Sequence, residues 1–221
     1  MRTTDTRSRL GALSLGGGAL LLALFPLVRP YFPLDPRAPV ATLDVASPAI
    51  ASRAWVLAHG LATAGFVLLA LGLLAVYARL ATHGQEPRAR RGLVLSLAGI
   101  ALVMPTLGVE TYVLPAIARM YLAGTADVAP LIGAIYIGPT TWVMALGLAL
   151  LAIGAISLAR AIRKSSALPG WAGIVFAVGL VFWLPLLPPP VRIVDGLLIG
   201  LGGLGLAWGL WTPDAAGQHQ G

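Results

Sequence analysis

The chain has no cysteine and no asparagine, and only one of its fifteen basic residues, Lys164, is a lysine. Without cysteine there is no disulfide, no thiolate nucleophile and no Cys-ligated zinc or iron–sulfur centre. Without asparagine there is no N-glycosylation site. Charge of either sign is scarce. Charged residues make up 10% of the 221 positions, against about 25% in a soluble domain. Histidine occurs at positions 59, 83 and 219 alone. A bis-histidine haem needs two histidines in one bundle, and only His59 stands in an apolar stretch. Ligation by His59 with Met104, Met120 or Met144 has nothing further in the sequence to support it. HExxH and GxSxG motifs are missing, so zinc-protease and serine-hydrolase chemistry lack their usual signs. The glycines of GLGGLGLAWG lie inside an apolar run and follow no strand, so they are not a phosphate loop. The sequence names no cofactor and no resident metal.

Apolar residues fill the space, at 58% of the chain and a mean hydropathy of +0.88. They fall in blocks longer than the roughly 18 uncharged residues that mark a bilayer-spanning helix. Leu10 to Val28 carries no charge, Ala54 to Ala78 only His59, and Gly92 to Ala118 only Glu110. Val128 to Ala159 and Ser165 to Val191 are uncharged, and Ile193 to Pro213 carries only Asp195. Open sheet edges cannot face lipid, so the spans must be helices, and no strand-like alternation suggests a barrel. The expectation is an all-α, polytopic membrane protein, one bundle of six transmembrane helices at about 10–28, 54–79, 93–118, 130–160, 168–188 and 191–211. A loop at 29–53 lies outside, and a disordered tail at 214–221 includes His219. No repeat is visible between the two three-helix halves.

The placement of the basic residues sets the orientation. Arg2, Arg7, Arg9, Arg79, Arg88, Arg90, Arg91, Arg160, Arg163 and Lys164 fall on one side, and Arg29, Arg37, Arg53, Arg119 and Arg192 on the other. Ten against five puts both termini in the cytoplasm. The net charge of +7 is then a topology signal that touches anionic headgroups, and nucleic acid is not an expected partner. The first block is long for a signal-peptide core of about 7–15 residues, and RPYFPLDPR after it lacks a small-residue cleavage site; we read it as an uncleaved helix. Arginine in place of lysine, with abundant alanine, glycine and leucine, suggests a GC-rich bacterial gene and hence the bacterial cytoplasmic (inner) membrane.

Within the loop, Pro30, Pro33, Pro36 and Pro39 predict an extended first half, and Ser47-Pro48 predicts the cap of the second helix. Helices five and six, joined by LPLLPPPVR, should be antiparallel neighbours. Gly196/Gly200 and Gly205/Gly209 recur four apart in the last helix, as close helix packing requires. His83 belongs to a polar loop.

Charged groups within a span are costly and mark function by default. At about 1.5 Å per residue, His59, Glu110 and Asp195 fall at one depth in the outer leaflet, beneath a ring of Arg53, Arg119 and Arg192. Trp55, His59 and Thr63 share a helix face, as do Thr106 and Glu110, and Tyr136, Thr140 and Met144; Arg192 and Asp195 are three apart and can pair. The candidate ligand- or proton-binding set is therefore His59, Glu110, Asp195, Arg192, Thr106, Tyr136 and Thr140, lining a polar pocket open to the outside. Structural explanations stand beside it: Glu110 as a packing salt bridge, His59 as a hydrogen-bonded core residue, Asp195 at a helix start, and the hydroxyls as partners for backbone freed by Pro105 and Pro139. Pro115, just beyond Glu110, is expected to bend helix three and turn Glu110 inward. The expected function is binding of a small ligand, lipid headgroup or proton, for transport or sensing, by a protein that is not an enzyme. One alternative is a lipid-acting membrane enzyme with His59, Glu110 and Asp195 around a metal; another is a structural subunit of a membrane complex. Expected partners are membrane lipids and a small molecule or another membrane protein.

Overall fold

A computed structural model describes residues 2–32, 42–125, 127–184 and 187–212, with side chains from residue 6 onward. Every regular element among these residues is a helix. In chain order they are α1 (Arg2–Val28), α2 (Leu43–Ile50), α3 (Arg53–Leu80), α4 (Glu86–Gly108), α5 (Leu114–Leu122), α6 (Ala129–Ile137), α7 (Pro139–Ser165), α8 (Gly170–Val181) and α9 (Pro189–Trp211).

Four helical runs are long and apolar enough to cross a bilayer: Thr6–Val28, Arg53–Leu122, Ala129–Ser165 and Pro189–Trp211. The 70-residue run Arg53–Leu122 is folded back on itself. Its turn is at His83 and Gly84, where Gly84 has φ +72°, a conformation that glycine adopts without a Cβ penalty. Tyr77 and Glu86 meet beside the turn, while Trp55 at the start of α3 bonds Glu110 beyond the end of α4. The two arms are thus antiparallel. The expected span 168–188 is helical over Gly170–Val181 only, after which Phe182–Leu184 leaves the helix with Trp183 buried.

The long helices pack in a closed ring, α1–α3–α4–α7–α8–α9 and back to α1. Small residues set the register of each pair. Gly11, Leu15 and Gly18 of α1 lie against Ala75, Gly72 and Leu69 of α3, and Gly92, Gly99 and Gly154 bring α4 against α7. On α9, Gly196, Gly200 and Gly203 face α1, whereas Gly202 and Gly205 face α8 and Gly209 faces Leu168 and Pro169 just before it. In every one of these pairs one number rises as the other falls, so neighbours are antiparallel, α8 and α9 included. Inside the ring lies one core running from Leu15 and Leu22 through Phe66, Leu69, Leu151 and Phe176 to Leu206. The outer faces expose Leu13, Leu20, Leu57, Leu71, Trp142, Ile153, Leu197, Leu201 and Trp208. A soluble protein rarely exposes so much contiguous apolar surface; these long apolar helices suggest a membrane protein.

Two boundaries differ from expectation. The second long helix is capped by Ser52, whose Oγ accepts from the Trp55 N–H at 3.2 Å, and not by Ser47. Ser47-Pro48 instead lies in the separate short helix α2, with Ser47 buried, so the predicted loop 29–53 is helical over Leu43–Ile50. Gly138, with extended ψ, divides the predicted fourth span into α6 and α7, and the Thr141 hydroxyl donates to the freed Tyr136 carbonyl at 2.7 Å. That partner was expected of Thr140. The prolines at 33, 36 and 39 and the tail 214–221 lie outside the described residues.

Candidate functional site

At the end of the ring where α1 finishes and α3 begins, polar residues from three helices and two flanking segments converge. Trp55 and His59 come from α3, Glu110 from the stretch between α4 and α5, Tyr136 from α6, Arg192 and Asp195 from α9, and Arg29 follows α1 directly. His59, Arg192 and Asp195 are each 2–3% exposed, and the Glu110 side chain 18%.

Backbone chemistry places Glu110. Between Val109 and Val113 the helix widens to a π turn, in which the Leu114 N–H bonds Val109 O. An α-helix would have sent that N–H to Glu110 O. The i→i+5 alternative for Glu110 O is the nitrogen of residue 115, which is proline and has no hydrogen to give. Trp55 resolves this: its Nε1–H donates to Glu110 O at 2.8 Å. Pro115 thus leaves Glu110 O open to Trp55 within a π turn, a feature often found at functional sites.

His59 is held just as specifically. Its Nδ1 lies 2.9 Å from the Trp55 carbonyl oxygen. A carbonyl only accepts, so Nδ1 carries the hydrogen and Nε2 of the neutral ring is itself an acceptor. Nε2 faces Glu110 Oε2 at 3.7 Å, and that buried oxygen has no hydrogen-bond partner. Two acceptors thus stand opposed. The Tyr136 hydroxyl acts on the same carboxylate.

Aromatic rings wall the pair. Trp55 lies against His59 at 4.3 Å between centroids with the rings tilted by 33°, and Phe25 meets the imidazole edge-on at 5.3 Å. Phe25 and Phe66 both contact the Trp183 ring. Arg29 lies over Trp55 at 4.7 Å and Arg192 over Phe25 at 5.2 Å, both cation–π geometries. Burial pulls the Arg29 guanidinium below its ordinary value, and the Glu110 carboxylate acts in the opposite direction. Burial likewise raises the Tyr31 phenol, with Arg192 and Arg29 opposing.

The predicted set is therefore only partly assembled. His59, Glu110, Tyr136, Arg192 and Asp195 come together. Asp195 lies in the field of Arg192, but its Oδ2 is buried without a hydrogen-bond partner and it forms no ion pair among the described residues, contrary to the expected direct pairing. Thr106 is buried one turn before Glu110, and its hydroxyl has no hydrogen-bond partner. Thr140 belongs to α7, across the Gly138 break from Tyr136 and α6, so the expected shared face with Met144 does not include Tyr136. Of the expected arginine ring, Arg53 and Arg119 are exposed and Arg192 is buried inside. Arg29 joins the site although the sequence does not single it out. Its only sequence sign was its position at the end of an apolar block, followed by two aromatic residues in RPYF. Among the described residues no three His, Asp or Glu side chains are grouped to hold a metal ion. The proposed metal set of His59, Glu110 and Asp195 does not have the required geometry.

No protein family, no curated protein and no solved structure matches this chain.

Proposed function

We propose that this chain is a six-pass protein of the bacterial cytoplasmic membrane, with both termini in the cytoplasm, that binds a proton at His59 and Glu110 for transport or sensing of a small ligand. The opposed acceptors carry the reading. With Nδ1 committed to Trp55 O, His59 Nε2 and Glu110 Oε2 both offer lone pairs across 3.7 Å. One added proton turns this contact into an imidazolium–carboxylate hydrogen bond, which prefers about 2.7–2.9 Å.

Formal charge supports a linked ligand. Arg29 and Arg192 balance Glu110 and Asp195 when His59 is neutral, and one proton gives the cluster a net positive charge. An anionic group, from a solute or a lipid headgroup, is the chemistry that complements that state, with Arg29 and Arg192 alongside to receive it.

The Trp55 ring is the natural reporter. An imidazolium quenches indole emission, so emission from Trp55, 4.3 Å from His59, is expected to fall as pH is lowered between about pH 9 and pH 4. Fluorescence titration of the purified protein reads this, with Trp55→Phe removing the responsive component. Emission that stays flat across that range in the native chain would sink the proton-binding reading.

The six crossings rest on the antiparallel ring and on the ten-to-five placement of basic residues. The twelve residues of α8 rise about 18 Å, so the fifth crossing also uses the non-helical Phe182–Leu184 stretch, which can lie at membrane depth where protein covers it. Reporter fusions at residues 40, 86, 126, 166 and 216 are expected to place 40 and 126 outside and the other three inside. An external signal at residue 86 contradicts this topology.

A further inference from the structure

Away from the His59–Glu110 site, the outer surface between α7 and α8 carries two adjoining hollows. The first, about 280 Å³, is apolar along Ile156, Ala177, Val178 and Phe182 and ends at Arg160 and Arg163. The second, about 510 Å³, sits beside the α7–α8 connection and is lined by Arg163, Ser166, Trp171 and Ile174. Arg163 and Ile174 belong to both, so the hollows form one groove with an apolar arm and a basic, more polar head.

We propose that this groove holds one anionic phospholipid, with an acyl chain along α7 and α8 and its phosphate between Arg160 and Arg163. Ile156, Arg160 and Arg163 are four and three residues apart and so share one face of α7. From Ile156 to Arg163 that face rises about 10 Å, enough for a stretch of acyl chain. Arg160, Arg163 and Lys164 are exposed, and none has a carboxylate partner among the described residues. Two cations with no internal counter-charge line the groove, with Lys164 next in sequence, and they complement an acidic headgroup rather than a zwitterionic one. Trp171, 53% exposed at the same level, is the residue type that settles at the headgroup boundary. Basic pockets between helices at a membrane boundary are a recurrent means of holding acidic lipids. The inference depends on membrane insertion and is independent of proton binding at His59 and Glu110.

Native mass spectrometry of the full chain tests it after exchange into nanodiscs of phosphatidylglycerol or phosphatidylcholine with identical acyl chains. The native chain is expected to retain one phosphatidylglycerol through release from the disc and little phosphatidylcholine. R160Q/R163Q is expected to reduce that retention roughly tenfold, since each surface cation contributes a few-fold to acidic-lipid affinity. Val178→Trp, which fills the apolar arm from its exposed side, should lower it too, while R88Q/R91Q removes equal charge elsewhere and should leave it unchanged. Equal retention of both lipids by the native chain overturns the proposal. So does equal loss in the two double-arginine variants, which would reduce the effect to general charge. A chain that enters neither kind of disc contradicts membrane insertion instead.

Discussion

Replacing Gly202 by leucine is expected to abolish the folded bundle, and Gly202→Ala to lower its thermal midpoint in detergent by roughly 3–10 °C. Gly202 is where α9 touches α8 most closely. A Cβ there would overlap Phe176 N and lie 2.6 Å from Phe176 Cα, both backbone atoms that cannot rotate aside. The helices would have to separate, and α9 cannot yield on its other side. Gly203 already packs on Ala19 of α1, and Gly196 on Pro26. Small residues at helix interfaces are what let membrane helices associate by van der Waals contact, since lipid offers no hydrophobic drive between them. Gly60→Ala is the matched control, because a Cβ there meets nothing within 4 Å. Thermal unfolding monitored by loss of the monodisperse fraction separates the two. Equal midpoints for Gly202→Ala and Gly60→Ala would mean that α8 and α9 are not packed as described.

The second large effect concerns the buried pair. His59→Gln and Glu110→Gln are each expected to eliminate the pH-dependent Trp55 signal while moving the unfolding midpoint by only a few degrees. His59→Gln removes the base that takes the proton. Glu110→Gln keeps the size of the side chain and its contact with Tyr136 but removes the negative charge that would face an imidazolium, so a proton on His59 loses its counter-charge. The same variants, reconstituted in liposomes with a trapped pH indicator, should lose any proton movement that the native chain supports. The structural account of Glu110 gives the opposite result. If the carboxylate only fixes helix packing, Glu110→Gln lowers the midpoint strongly and the fluorescence titration survives. Those two outcomes cannot be confused, because one reads protonation and the other reads cohesion.

Parts of the site were legible in the sequence because they depend on local chemistry. Glu110 stood out as a carboxylate in an apolar run, and Pro115 announced a disturbed helix five residues later. Trp55 and His59 shared a face by their spacing of four. The binding of Glu110 O by Trp55 Nε1 was not legible, since it joins residues 55 apart and depends on the Leu114 N–H choosing Val109. Arg29 was hidden for a related reason. A basic residue at the end of an apolar block usually serves topology, and only the approach of α3 lays Trp55 beneath its guanidinium. Thr140 failed because its proposed face assumed an unbroken helix, which Gly138 interrupts.

The sequence by itself determined that this is an all-helical chain with long apolar runs, that glycines four apart in its last helix allow close contact, and which few charged residues are placed where burial is costly. These follow from composition and from the 3.6-residue period, both properties of short stretches. Only the tertiary structure decided that the helices close into a ring with α9 against α1, that Arg192 and Arg29 turn toward His59 and Glu110 while Arg53 and Arg119 stay exposed, and that His59 presents an acceptor to an acceptor. The reason is physical. Hydrophobicity and helix period fix which face of a helix is inward, but the partner opposite each buried charge is set by rotation and register between helices distant in sequence, and those are chosen by the packing of the whole bundle.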